Sequence, residues 1–176
     1  MTSVRRWWDE QALPRLVDVA LADATSGTWR TTVCVGATGE VLEIGFGSGR
    51  NLPYYGDTVT RVLAVEPADL AWARAKARVT ASGMPVTRVG LDGADLPVPD
   101  ASVDTVVSTW TLCTVPGVER ALHEARRVLR PGGQLRFVEH SAAPSRRVAG
   151  IQRRIQPLWG RVAGGCHGDR DIAGPL

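Results

Sequence analysis

Glu43, Gly45, Gly47 and Gly49 alternate through VLEIGFGSGRN, residues 41–51. Glycines spaced this way after an apolar run let the backbone turn tightly and approach a ligand with no side chain between them. In open parallel sheets such loops lie at the C-terminal ends of strands, where nucleotide cofactors bind. A phosphate loop requires GxxxxGKS/T, and no lysine follows these glycines. A dinucleotide fingerprint requires GxGxxG. Counted from Gly45, Arg50 takes the third glycine's place, and its side chain would obstruct helix–strand packing. The remaining readings are a differently built cofactor loop and a glycine-rich turn with no ligand.

Two further segments carry groups able to do chemistry. Glu139-His140 leaves the last strand-like run at the ligand-binding edge, and a histidine there titrates near neutral pH. It acts as a base, orients a substrate, or bonds a loop carbonyl. Gly165-Cys166-His167 with Arg170-Asp171 offers a thiol beside an imidazole, as in nucleophilic catalysis. Neighbours in a chain usually point apart, so packing or a lid role competes with catalysis. His123 sits beside an apolar helical face and reads as a surface residue. Cys34, Cys113 and Cys166 lie far apart with no CxxC pair, so the spacing predicts neither a zinc framework nor a disulfide set, and no metal. A reducing cytoplasm is the corresponding location.

The elements that must position these groups alternate. The periodicity of Leu13, Leu16, Val17, Ala20 and Leu21 predicts a helix or two in the first thirty residues, stopped at Gly27. Strands are predicted at Glu40–Ile44, Arg61–Val65, Val86–Val89, Val103–Thr109 and Gln134–Glu139. An alanine-rich helix closed by Gly83 lies between the second and third strands. A helix over Val118–Arg130 precedes the Pro131-Gly132-Gly133 break. Strands apolar almost throughout and separated by helices argue for an α/β fold with a doubly wound, mainly parallel sheet covered on both faces. Ser145–Val162 is a basic amphipathic stretch with Val148, Ile151, Ile155, Leu158 and Val162 on one side, interrupted by Pro157. It suits a helix covering the active site, or a membrane-surface helix. The residues after it look like a loop.

With 176 residues, 44% of them hydrophobic, the chain has the size and composition of one soluble domain. That domain comprises an N-terminal helical segment 1–33, a core 40–139 and a tail 140–176. No apolar run approaches the roughly 18–20 residues needed to span a bilayer, and the N-terminus lacks the pattern of a secretory signal. The net charge is +3, and Lys76 is the only lysine. The arginines are scattered over every predicted helix and nearly balanced by acids, which argues against nucleic-acid binding.

The E-x-G-x-G-x-G pattern resembles the first motif of class I S-adenosylmethionine-dependent methyltransferases. Glu66 at the end of AVE, Asp92-Gly93 in LDGADLPVPDASVD, and VLRPGG at 128–133 match that superfamily in order. The resemblance implies that Glu43 and the loop of Gly45, Phe46, Gly47 and Gly49 face the cofactor's amino-acid tail and sulfonium. It implies that Glu66 accepts from the ribose hydroxyls, and that Asp92 and Gly93 meet the adenine. Asn51, Pro67, Thr109 and Leu112 join the same surroundings. FVEHSAAP, STWTLCTVP and GGCH followed by RD are similar to the thiol-methyltransferase-like branch. The implied activity is methyl transfer to a small-molecule acceptor, a thiol among them, with His140 and Glu139 as the catalytic candidates. The alternatives are a pseudoenzyme or assembly partner that only binds the cofactor, and a lipid-type methyltransferase at a membrane surface. Superfamily members normally add a hairpin of strands six and seven, for which no pattern follows Glu139. The expectation is a fifth strand left as an edge, open to pairing with a second copy.

Overall fold

The computed structural model of the chain describes residues 7, 8 and 12–172. Expectations for residues 1–6, 9–11 and 173–176, and for the side chains of Val17 and Ala20, lie outside the described residues. Among the described residues, helices α1 (Leu13–Ala20) and α2 (Asp23–Cys34) precede β1 (Gly39–Ile44). A 3-10 turn at Leu52–Tyr54 leads to β2 (Val59–Val65), α3 (Asp69–Ser82), β3 (Val86–Gly90) and β4 (Val103–Thr109). Then come α4 (Val118–Val128), β5 (Leu129–Val138) and α5 (Arg146–Val162).

The strands form one parallel sheet in the order β3-β2-β1-β4-β5. Strand order reverses at β1, which pairs with β2 on one side and β4 on the other, so the crevice beyond the C-terminal ends of β1 and β4 is where a ligand fits. Val41, Leu42, Ile44, Val62, Val65, Val106 and Val107 are buried at the centre. That is the near-continuous apolar burial of a sheet covered on both faces. Gly83 ends α3 with φ +65°, the left-handed cap that an L side chain resists.

Three local expectations fail for identifiable reasons. Gly27 does not stop a helix; it lies inside α2, where a Cβ would sit 3.0 Å from the Tyr54 hydroxyl. Close packing rather than helix termination selects glycine there. Strand β5 begins at Leu129, before the Pro-Gly-Gly turn. Its ladder passes from Leu129 opposite Val103 to Gln134 opposite Thr105, so the turn loops out of an edge strand that tolerates proline. Helix α5 runs through Pro157. That residue is exposed, so water can meet the carbonyl one turn back. The apolar side of α5 does not cover the site: Ile151 and Leu158 are 59% and 67% exposed. Among the described residues, no helix is long and apolar enough to cross a membrane.

An ionisable carboxyl is sealed inside the sheet. Glu43 on β1 is almost fully buried. Its Oε2 accepts from the Tyr55 hydroxyl at 2.6 Å and its Oε1 from Asn51 Nδ2 at 2.9 Å. Asn51 Nδ2 also donates to Thr109 Oγ1 on β4, and Asn51 Oδ1 accepts from the buried Arg30 of α2 at 2.6 Å. Burial pushes the Glu43 carboxyl up to about 7, against the opposing pull of Tyr55, Arg30 and Asn51. Between its ordinary value of 4.5 and about 7 the folded chain holds a proton that the unfolded chain has released, so stability falls as pH rises through that window. Glu43→Gln keeps both bonds, with Tyr55 turned to accept, and removes the ionisation. Thermal unfolding from pH 4.5 to pH 8 should show the wild type losing roughly 3 kcal/mol relative to this variant. Parallel curves would show that Glu43 stays ionised throughout.

Candidate functional site

At the β1–β4 crevice lies a hollow of about 290 Å³. Its floor is the loop leaving β1. Gly45, Gly47 and Gly49 have φ of +76°, +59° and +76°, a run of left-handed backbone that only glycine adopts readily. Gly45 has a second reason to lack a side chain, because a Cβ there would lie 1.9 Å from Thr111 Oγ1. The chain after β4 therefore closes directly onto the chain after β1.

Glu66, at the end of β2, holds the loop in place. Its Oε2 accepts from the Gly47 amide and its Oε1 from the Ala68 amide, both at 2.7 Å. Burial raises its pKa, and the two amides pull it back. Each carboxylate oxygen has two acceptor sites, so two amides leave part of the capacity unused. Because Glu66 lines the hollow, that spare capacity is available to hydroxyl donors.

The hollow is roofed from both ends of the chain. Leu13, Asp18 and Leu21 line it from the N-terminal side, Ala163 and Gly164 from the C-terminal side. A Cβ on Gly164 would lie 2.7 Å from a Leu13 methyl, so the two segments meet. Asp18 anchors α1 by accepting from Ser48 Oγ, Arg50 Nε and Arg74 at 2.5, 2.7 and 2.5 Å. Burial alone would raise its pKa, but these donors outweigh burial and hold it at about 2. Arg50, whose position excluded a dinucleotide loop, is thereby a clamp on α1. Trp110 also lines the hollow, at φ +53°, with the Arg30 guanidinium 4.9 Å from its ring centroid. A tryptophan in left-handed backbone is strained, and such strain gathers at functional sites.

Of the residues expected around a cofactor, Gly45, Phe46, Gly47, Glu66, Pro67 and Thr109 line this one hollow. Glu43 does not; its carboxylate is consumed by Tyr55 and Asn51 beneath the loop, and Asn51 is buried with it. Gly49 packs against Leu52 and Phe46. Leu112 is fully buried in the core under α4. Asp92 and Gly93 stand beyond β3, the strand next to β2, outside the lining. Asp92 Oδ1 accepts from the Ala94 amide, and a Cβ on Gly93 would press to 2.6 Å from Ile44. Asp18, Arg30 and Trp110 had no motif to announce them, although Trp110 stands in STWTLCTVP.

The two catalytic candidates have other occupations. Glu139 Oε1 accepts from Ser108 Oγ and the amides of Thr111 and Leu112, while Oε2 accepts from the Cys113 amide. It is the acceptor that shapes the turn after β4, not a free base. His140 does not line the hollow; its Nδ1 lies 3.4 Å from Cys166 Sγ and 3.7 Å from Cys113 Sγ. The two sulfurs, far apart in sequence, lie 3.5 Å from each other. The chain returns over the β4–α4 turn, where the His167 amide donates to the Cys113 carbonyl and Arg170 to the Val115 carbonyl. Cys166 thus pairs with His140 and Cys113 rather than with its neighbour His167. Contact with the Cys113 sulfur, and then with His140 and the Trp159 indole, lowers the Cys166 pKa against burial, and the same cluster raises the pKa values of Cys113 and His140.

The family described as a methyltransferase domain matches residues 42–137. The chain is 35% identical over 129 residues to a phosphatidylethanolamine N-methyltransferase of Cereibacter sphaeroides, covering 72% of this chain and 63% of that one. It is 37% identical over 139 residues to the thiol S-methyltransferase TMT1B of Homo sapiens, covering 74% and 56%. The chain therefore spans less than two thirds of either relative. A crystal structure of a SAM-dependent methyltransferase from Aquifex aeolicus superposes with a TM-score of 0.54 at 19% identity, over 91% of this chain and 86% of that one, a likeness of fold.

Glu139→Ala orphans four donors and should cost at least about 2 kcal/mol in denaturant unfolding. Full stability with abolished turnover would instead mark Glu139 as a base.

Proposed function

The chain belongs to the methyltransferase-domain family, and we propose that it transfers a methyl group from S-adenosylmethionine to a small thiol. S-adenosylmethionine, the donor of this family, supplies a methyl already activated on a sulfonium. What this chain adds is alignment and the exclusion of water. Glu66 offers its spare acceptor sites to the ribose hydroxyls. Gly45 and Gly47 offer close backbone, while Asp92 and the Gly93 amide serve the adenine edge. Leu13, Leu21, Trp110, Ala163 and Gly164 supply a largely apolar surround for the acceptor. Glu43 and Asn51 act indirectly, by holding the floor from below.

The observation that carries the thiol reading is the absence of a free base. Among the described residues lining the hollow there is no histidine, lysine, tyrosine or cysteine. Its two carboxylates are engaged, Asp18 by two arginines and a serine, Glu66 by two amides. An amine acceptor arrives protonated and a carbon acceptor needs a base. A thiol of cysteine-like acidity ionises unaided to a few per cent near pH 7, and its thiolate is intrinsically very nucleophilic. The likeness to a thiol S-methyltransferase supports the same choice. His140 and Glu139 have no part in proton removal on this reading.

Incubation with labelled S-adenosylmethionine and a panel of alkyl thiols, phenols, quinols and phosphatidylethanolamine vesicles should put label in the thiols. With thiols of different acidity, kcat/KM should rise with pH up to each acceptor's own pKa, so that the break moves with the acceptor. A break fixed at one pH for every thiol would reveal a base on the protein and overturn the mechanism. Labelled vesicles alone would overturn the acceptor class, and no labelled product at all would leave the cofactor-binding alternative.

A further inference from the structure

Cys113, His140 and Cys166 play no part in the cofactor hollow. They come from three separate segments: the turn after β4, the end of β5, and the strap following α5. Their ligand atoms all lie within 4.8 Å of one another. Cys113 and Cys166 are buried, while His140 is exposed.

The spacing of the three atoms is informative. A tetrahedral zinc ion with Zn–S near 2.3 Å and Zn–N near 2.0–2.1 Å separates two sulfurs by about 3.8 Å, and a sulfur from a nitrogen by about 3.6 Å. The observed triangle is 3.5 Å between the sulfurs, and 3.4 and 3.7 Å from them to His140 Nδ1. All three edges agree within a few tenths of an ångström. We propose that Cys113, His140 and Cys166 form a three-ligand site for a divalent cation of the zinc class.

Two thiolates and an imidazole suit zinc and reject magnesium or calcium, which demand oxygen. Three protein ligands leave the fourth tetrahedral position to a water or another small ligand. His140 also lines a separate hollow of about 250 Å³ with Ile155 and Trp159, which gives the ion a way in. The surroundings already hold the ligands in place. The Trp159 indole donates toward the Cys166 sulfur, the Cys113 amide donates to Glu139, and Gln156 Nε2 donates to the Cys166 carbonyl at 2.8 Å. Such contacts orient ligands before the ion arrives. The ion would tie the strap bearing Gly164 to the β4–α4 turn, and so brace one wall of the cofactor hollow from behind. The inference does not depend on which acceptor the protein methylates.

The test uses the full chain, reduced, stripped with a chelator and titrated with zinc in competition with a chromophoric chelator. One equivalent should bind with an apparent Kd below about 1 μM, release protons and raise the Tm. Cobalt in place of zinc should give tetrahedral d–d bands with a thiolate charge-transfer band. Cys113→Ser and Cys166→Ser should each weaken binding at least about 100-fold. Because Cys113 is buried, the exposed His140→Ala provides a variant expected to fold normally, and it should also weaken binding. Absence of the charge-transfer band, or affinity unchanged in His140→Ala and Cys166→Ser, would overturn the site. So would a chain that binds no zinc and instead forms a Cys113–Cys166 disulfide under mild peroxide.

Discussion

A carboxylate without water around it must be answered by donors, and Glu43 at the centre of β1 imposes that demand on the whole upper half of the domain. Its answers come from different places: Tyr55 and Asn51 from the connection to β2, with Asn51 held in turn by Arg30 of α2 and Thr109 of β4. No element can shift far without leaving one of these groups unpaired. The glycine loop is built on this foundation. Gly45 emerges against Thr111 so closely that no side chain fits, and the loop's left-handed backbone faces the crevice because what lies beneath it is fixed.

The same device recurs around the rim. Three more carboxylates each hold one segment in position: Asp18 binds α1 to the loop, Glu66 binds the loop to the end of β2, and Glu139 shapes the turn after β4. They differ in what is left over. Asp18 answers two arginines and a serine, and Glu139 answers four donors. Glu66 alone of the three pairs a place on the hollow with only two short amide contacts. Glu66 is therefore the carboxylate we propose for a ligand bearing neighbouring hydroxyls, as carried by S-adenosylmethionine, the donor of the methyltransferase family to which the chain belongs.

The fold was legible because apolar strands and glycine punctuation are local signals. β4 falls at the expected residues, and β1, β2 and β3 within two residues of them. Glu66 was legible too, as an acid ending a strand beside a glycine loop. Glu43 was half legible: its motif marks the loop correctly, but whether a carboxylate points to the ligand or into the sheet depends on Tyr55 and Asn51, which no spacing rule connects to it. The roof was hidden for the same reason, since Asp18 meets Ser48 and Arg74 only after the chain has folded. Gly27 and Pro157 misled because packing at one and solvent exposure at the other outweigh intrinsic helix propensity. Cys113, His140 and Cys166 each stood in a recognisable stretch, but no spacing linked the three, since they are brought together solely by the return of the strap over the β4–α4 turn.

On this reading the glycine loop and Glu66 form the cradle of an adenosyl cofactor. Calorimetric titration with S-adenosylhomocysteine tests it most directly, comparing the wild type with Glu66→Gln under conditions where both are folded. Hydrogen bonds to a charged group contribute about 1.5–3 kcal/mol each, so the variant should bind at least about 10-fold more weakly. Wild type and variant binding with the same affinity would remove Glu66 from the cofactor's site, and a wild type that does not bind would remove the cradle altogether.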